Sequence, residues 1–263
     1  MDIADKKLAE KIYGTIADDW IEWADSINAK KFVIGISGGV DSTTAAALAC
    51  NIFGRDNVVG VSLPCDGQKD MDDVNEAFAF LGIRRLTIDI GDMFASIKQG
   101  LENNCIDITE QTRINAPARL RMAMLYAVSQ SLGAYVVNTC NRSETVVGND
   151  TRWGDQCGDY APLKNLTKTE VINLAMWLGV PEKLAKKTPV DGLQPLSDED
   201  RLGMKYRDID NFIRMTDAWN DIPKEIKDKI QKAYCTNKFK IYGVNIAGPE
   251  FDYLPDIFNM SDI

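Results

Sequence analysis

Residues 31–53 read KFVIGISGGVDSTTAAALACNIF. Residues 31–37 are a short apolar run rich in β-branched side chains, which predicts a buried strand. Gly38-Gly39 follows at once, and the alanine- and leucine-rich residues 42–53 predict a helix. The same unit of strand, turn and helix recurs downstream. NVVGVSL (57–63) predicts a strand and residues 70–81 a helix. RLTIDI (85–90) predicts the next strand and residues 92–102 the next helix. ARLRMAMLYAVSQSL (118–132) is an amphipathic helix ending at Gly133, followed by the strand AYVVNT (134–139). Alternation of this kind gives an α/β fold, with a doubly wound, mostly parallel sheet and helices on both faces. Residues 167–178, 198–214 and 224–235 predict further helices, so the C-terminal part is helical. Residues 243–263 read as loop. No stretch resembles an interdomain linker, and one domain over residues 1–263 is expected.

In such sheets ligands bind beyond the carboxyl ends of the strands. The ends at Ser37, Leu63 and Thr139 therefore fall on one edge. The richest of them is Ser37-Gly38-Gly39-Val40-Asp41-Ser42. Two glycines let backbone N–H groups approach phosphate oxygens, and the following helix adds partial positive charge at its N-terminus. Ser37 and Ser42 can donate hydroxyl hydrogen bonds, and Asp41 can hold Mg²⁺. A tight turn and a helix cap would explain single residues of this string, but not two glycines between two serines. The lysine of G-x-x-x-x-G-K-[ST] is absent, so the loop suits a pyrophosphate leaving group better than a transferred γ-phosphate.

Composition narrows the chemistry. The 263 residues contain 30 basic and 39 acidic side chains, a net charge of −9, which argues against nucleic acid as partner. There is no histidine. That excludes Ser-His-Asp and Cys-His catalysis and any imidazole metal ligand. Six scattered cysteines without a Cys-x-x-Cys pair suggest free thiols. No apolar run is long enough to span a membrane, and residues 1–10 carry mixed charge, so the expectation is a cytoplasmic protein.

The S-G-G-x-D-S string in this setting resembles the N-type ATP pyrophosphatases, which cleave ATP to AMP and pyrophosphate to adenylate a substrate. Segments similar to one branch, the ammonia-dependent NAD synthetases, run in order from residue 31 to 212. PCDGQKDMDDV (64–74) resembles the segment that approaches adenosine, with Gln68 and Asp70 at the matching positions. Asn115-x-x-Ala118-Arg119-x-Arg121 resembles an asparagine and two arginines on a long helix. Those arginines lie two apart and must project from different sides. TCNRSETVVGNDTRWGDQCGDYAP (139–162) carries Thr139 for ATP, Glu144 for Mg²⁺, and a T-[KR]-aromatic-G-D string at Thr151 to Asp155.

The resemblance implies an adenine nucleotide alpha hydrolase-like fold and a homodimer. It implies a ligase that makes NAD from deamido-NAD, ATP and ammonia. Ser37, Gly38, Gly39, Asp41, Ser42, Gln68, Arg121, Thr139 and Lys168 correspond to ATP contacts. Arg119, Arg152 and Asp159 correspond to deamido-NAD contacts, and Asp41 and Glu144 to Mg²⁺ ligands. Asp155 and Lys168 correspond to the catalytic groups, with Asp155 suited to attract ammonium. The chain departs from the family pattern at Asn138, at Asn149-Asp150 where an aromatic pair is usual, at Val190, and at Asn237-Lys238-Phe239 where His-Lys-Arg is usual. A tRNA-modifying pyrophosphatase is the nearest rival enzyme. A nucleotide-sensing protein with a degenerate site is the rival of another class.

Overall fold

The computed structural model describes residues 3–65, 71–187 and 197–240. In chain order the elements are α1 (Ile3–Ser26), β1 (Phe32–Gly35), α2 (Val40–Phe53), β2 (Val58–Ser62), α3 (Met71–Leu81), β3 (Arg84–Thr87), α4 (Gly91–Glu102), α5 (Glu110–Leu132) and β4 (Tyr135–Val137). They continue with α6 (Arg142–Val147), α7 (Lys168–Trp177), α8 (Glu182–Ala185), α9 (Asp198–Leu202), α10 (Tyr206–Arg214) and α11 (Lys224–Asn237).

The four strands form one parallel sheet in the order β3-β2-β1-β4. Register pairs Phe32 with Val58 and Tyr135, and Val33 with Val59 and Val136. Alternate residues face opposite layers, so both faces must be covered. Phe32, Ile34 and Val58 pack into a core with α1, α2, α3 and α7, which contribute Trp20, Leu48, Leu81 and Leu174. Val33, Val59 and Val61 pack against residues of α4 and α5, among them Phe94, Leu120 and Leu125. Gly60 in β2 shows how closely these layers approach: an added Cβ would stand 2.5 Å from Cε1 of Phe78. A third, smaller apolar cluster joins α6, α10 and α11 through Val146, Val147, Tyr206, Ile209 and Ile230. It attaches the C-terminal helices to the sheet edge that carries the candidate site.

The expected strands and helices are present, with three differences. The helix expected at 118 begins at Glu110, because Thr109 accepts from the backbone N–H of Thr112 as N-cap and Pro117 is accommodated inside the helix. The helix expected over 198–214 is two helices, broken at Gly203, which takes φ +62°. α1 and the short α6 and α8 add to the expected set. Among the described residues no helix is long and apolar enough to cross a membrane.

Candidate active site

β2 and β4 flank β1 on opposite sides, so the connections after β1 and β4 leave the sheet in different directions and open a crevice between them. A cavity of about 580 Å³ lies there, within the usual range for small-molecule sites. Its walls come from the turn after β1, the carboxyl ends of β2 and β4, the inner face of α5, and α6 and α7.

The turn after β1 is held by its own side chains. Ser37 Oγ accepts from the N–H of Gly39 at 3.2 Å and lies 3.1 Å from Ser42 Oγ. Gly39 is the N-cap of α2 and offers no side-chain acceptor. The first-turn N–H groups of a helix have no partner within it, so those of α2 are available to an anion. Gly38 has φ +78°, and a Cβ there would lie 2.7 Å from the backbone nitrogen of Val74. Only glycine fits both the conformation and the approach of α3.

Asp41 in the first turn of α2, Glu144 in α6 and Lys168 at the start of α7 meet in the cavity. Lys168 Nζ donates to Asp41 Oδ2 at 2.6 Å and to Glu144 Oε1 at 2.9 Å. Asn141 Nδ2 donates to Asp41 Oδ1 at 2.8 Å. Asn141 also forms a capping box with Glu144, which fixes the carboxylate on the first turn of α6. Burial pushes the Glu144 carboxyl up to about 7; Lys168 opposes the shift and Asp41 adds to it. Burial alone would lower the Lys168 ammonium, but Asp41 and Glu144 outweigh it and hold the amine well above its ordinary value. Lys168 is therefore a permanent cation shared by two acids.

This donor set fits Mg²⁺. Two hard carboxylate oxygens already converge on one cationic nitrogen. Among the described residues no group of three or more His, Cys, Asp or Glu side chains has metal-binding geometry. Phosphate oxygens and water would complete the coordination, as Mg²⁺ prefers.

The end of β4 is tied to the loop that follows α6. Asn138 Nδ2 donates to the carbonyls of Asp155 and Cys157 at 2.8 and 3.0 Å, and its Oδ1 accepts from Cys140 N at 2.9 Å. This departure from the family pattern is thus a structural brace. Thr151 N donates to Asp155 Oδ1 at 2.6 Å, and Thr151 Oγ1 to Asn115 Oδ1 at 2.9 Å. Asp155 opens onto the cavity while protein surrounds it on its other sides, and burial pushes its carboxyl up to about 6. Asp150 adds to that shift, and the Thr151 N–H opposes it.

The cavity brings together Ser37, Gly39, Asp41, Ser42, Arg121, Thr139, Glu144, Asp155 and Lys168. Four expected residues lie outside its wall. Gly38 turns toward α3. Arg119 is exposed and donates from Nε to the carbonyl of Arg152 at 3.3 Å, while Arg121 points inward and donates to the carbonyl of Leu63 at 3.0 Å. The two arginines therefore do leave the helix on different sides. Arg152 lies over Trp153 and Phe239, with its guanidinium carbon 5.0 and 5.5 Å from the ring centroids. Asp159 accepts from Val136 N at 2.7 Å and from the Tyr126 hydroxyl at 3.3 Å, bracing the edge of β4. Gln68, Asp70 and Val190 lie outside the described residues.

Sequence reasoning passed over Asn141 and Lys187, and read Asp150 only as a departure from the family pattern. Asn141-x-x-Glu144 is readable as a capping box, whereas Lys187 lines the cavity and forms a 2.6 Å ion pair with Asp73 across the fold. Lys187 also holds the Asp73 carboxyl below its ordinary range.

Known proteins share the sequence and the fold of this chain. The NAD synthase family profile matches residues 16–242. An NH(3)-dependent NAD(+) synthetase of Pyrococcus furiosus is 42% identical over 188 residues, covering 71% of this chain and 72% of the relative. Its counterpart in Finegoldia magna is 32% identical over 237 residues, covering 87% and 97%. Among solved structures, an NMN synthetase from Francisella tularensis superposes with a TM-score of 0.81 at 31% identity, covering 95% of this chain and all of that one. An NH3-dependent NAD synthetase from Campylobacter jejuni shares the fold, with a TM-score of 0.73. With the profile spanning most of its length, the chain belongs to the NAD synthase family.

Proposed function

We propose that the protein is a ligase that forms a C–N bond, amidating the nicotinate carboxylate of deamido-NAD with ammonia at the expense of ATP. The observation that carries this reading is the meeting of Asp41, Glu144 and Lys168 beneath a glycine turn that lacks the P-loop lysine. In the first step a carboxylate oxygen attacks the α-phosphorus of ATP, and pyrophosphate leaves with the bonding electron pair. In the second, ammonia forms the amide and AMP leaves.

Both steps bring anions together or part them, so the catalyst needs placed positive charge more than a nucleophile. The N–H groups at the start of α2 receive phosphate oxygens, and Lys168 and Arg121 supply fixed positive charge beside them. Asp41 and Glu144 would hold Mg²⁺, which neutralises phosphate charge when bound. Asp155 offers a carboxylate to ammonium at the acyl end.

The same reading covers a single catalytic domain over the whole chain and a homodimer acting in the cytoplasm on small molecules, without nucleic acid or membrane. Light scattering tests the dimer. The activity is tested by assaying amide formation with ATP, Mg²⁺, deamido-NAD and ammonium, each omitted in turn. Turnover must require all four. ATP binding without turnover under any combination would favour the nucleotide sensor.

A second acyl substrate is favoured by the likeness to the NMN synthetase of Francisella tularensis. The departures at Asn149-Asp150 and Asn237-Lys238-Phe239 also fall where the family pattern serves the dinucleotide. Nicotinate mononucleotide therefore belongs in the same assay. A kcat/KM for the mononucleotide above that for deamido-NAD would keep the adenylation chemistry and change the substrate.

A further inference from the structure

The Lys168 ammonium has three N–H donors, and Asp41 and Glu144 take two of them. Among the described residues Nζ has no other hydrogen-bond partner, although the side chain is only 3% exposed. An aromatic face covers another side of it. Nζ lies over the Tyr206 ring, 5.1 Å from the centroid, within the reach at which the negative face of a ring attracts a cation. Tyr206 is buried and stands behind the cavity wall, with Lys168 between it and the cavity.

The ring is held from three places. Asn149, in the loop after α6, donates from Nδ2 to the Tyr206 hydroxyl at 3.1 Å, and the hydroxyl donates to Asp198 Oδ2 of α9 at 3.3 Å. The Tyr206 N–H donates to Glu199 Oε1 at 2.9 Å. Val146, Val147, Ile209 and Ile230 share its apolar cluster. Burial raises the phenol far above its ordinary range, so the hydroxyl stays a neutral donor to Asp198. Apolar packing alone sets no rotation for a ring, whereas the tied hydroxyl keeps its face turned to the ammonium. Asn149 is itself fixed by Arg201, which donates from Nη2 to Asn149 Oδ1 at 2.6 Å. At this departure from the family pattern the chain thus carries an amide that orients Tyr206.

We infer that Tyr206 is a positioning residue that acts through Lys168: its ring holds Nζ between Asp41 and Glu144 and leaves the third N–H for a phosphate oxygen of ATP. The inference rests on the ATP chemistry proposed above and adds to it a group that does not touch substrate. An aromatic face attracts the cation without taking up a conventional hydrogen bond. A carboxylate or carbonyl in its place would occupy the donor that the phosphate needs.

The test grades the charge of the ring while keeping its shape. Tyr206→Phe is the reference, and mono-, tri- and pentafluorinated phenylalanine at position 206 weaken the negative face stepwise with little change of volume. Calorimetric titration with Mg-ATP, which needs neither acyl substrate nor turnover, reads the affinity. It falls across the series, by about tenfold for the pentafluorinated ring. The same series built on Lys168→Met stays within about twofold, because the ring then has no cation to hold. An affinity that does not follow fluorination overturns the inference. So does an equal decline in both backgrounds, which would make the ring a packing residue. If Tyr206→Phe shows no cooperative melting, ring-fluorinated tyrosines, which keep the hydroxyl, carry the same comparison. Fluorine-dependent affinity in a protein that forms no amide would support the inference and refute the proposed amidation, whereas a protein that binds no Mg-ATP would refute both.

Discussion

At the scale of single residues the account turns on charge held in place. Two unit charges about 4 Å apart at an effective dielectric near 20 interact by about 4 kcal/mol, close to a thousandfold in rate. Asp41→Asn and Glu144→Gln are therefore expected to cut pyrophosphate release by about a thousandfold. Melting temperatures should hold, since each change also relieves a crowded acid; a loss of rate only in step with a loss of folded protein would contradict the assignment. Gly38→Ala tests the loop. Its φ of +78° and its 2.7 Å approach to Val74 predict a loss of about 1–3 kcal/mol of stability with a raised KM for ATP, read from denaturant melts and kinetics. The residues of the S-G-G-x-D-S string were legible because they are neighbours in sequence as well as on the cavity wall, whereas Glu144 and Lys168 meet Asp41 across the fold and were read only through the family resemblance. Lys187 was not legible, because its ion pair with Asp73 is made across the fold.

At the scale of elements, α6 and α7 carry Glu144 and Lys168, and α10 holds the two helices together. Asp210 accepts from Ser143 Oγ and from the N–H and hydroxyl of Thr169, while Ser143 Oγ accepts from Lys168 N at 3.0 Å. Asp210→Ala strands these donors in a buried setting and should lower stability by about 2–4 kcal/mol. It should also slow turnover more than it raises the KM for ATP, since it loosens catalytic groups made on two helices. Asp210→Asn, which keeps one acceptor, should recover part of both. The elements themselves were largely readable, because buried parallel strands and amphipathic helices leave strong periodicity. The start of α5 escaped because Pro117 reads as a boundary, yet the Thr109 cap sets the helix a full two turns earlier. The break between α9 and α10 hangs on one left-handed glycine, Gly203, inside an otherwise continuous helical pattern.

At the scale of the molecule, a parallel sheet brings the ends of β1 and β4 together with two helices and their acids, and much of its electrostatic cost is collected there. Burial raises Asp155 to about 6 and Glu144 to about 7, from unfolded values near 4. Between those values the folded state binds more protons than the unfolded one, so these two groups remove stability as pH rises from about 4 through 7. Calorimetry of the protein without nucleotide should show that decline, and it should shrink in Asp155→Asn and in Glu144→Gln. Mg²⁺ should stabilise the protein more at pH 8 than at pH 5.5, because a metal competes with protons for the carboxylates. Equal stabilisation at both pH values would argue against Glu144 as a ligand.

The central claim is that the carboxylate is adenylated. The direct measurement supplies deamido-NAD whose carboxylate carries a heavy oxygen isotope, together with ATP, Mg²⁺ and ammonium, and weighs the nucleotide and phosphate products. The account predicts AMP bearing the heavy oxygen and unlabelled pyrophosphate, in step with the amide. ADP accompanied by heavy phosphate would place the attack at the γ-phosphorus and contradict it.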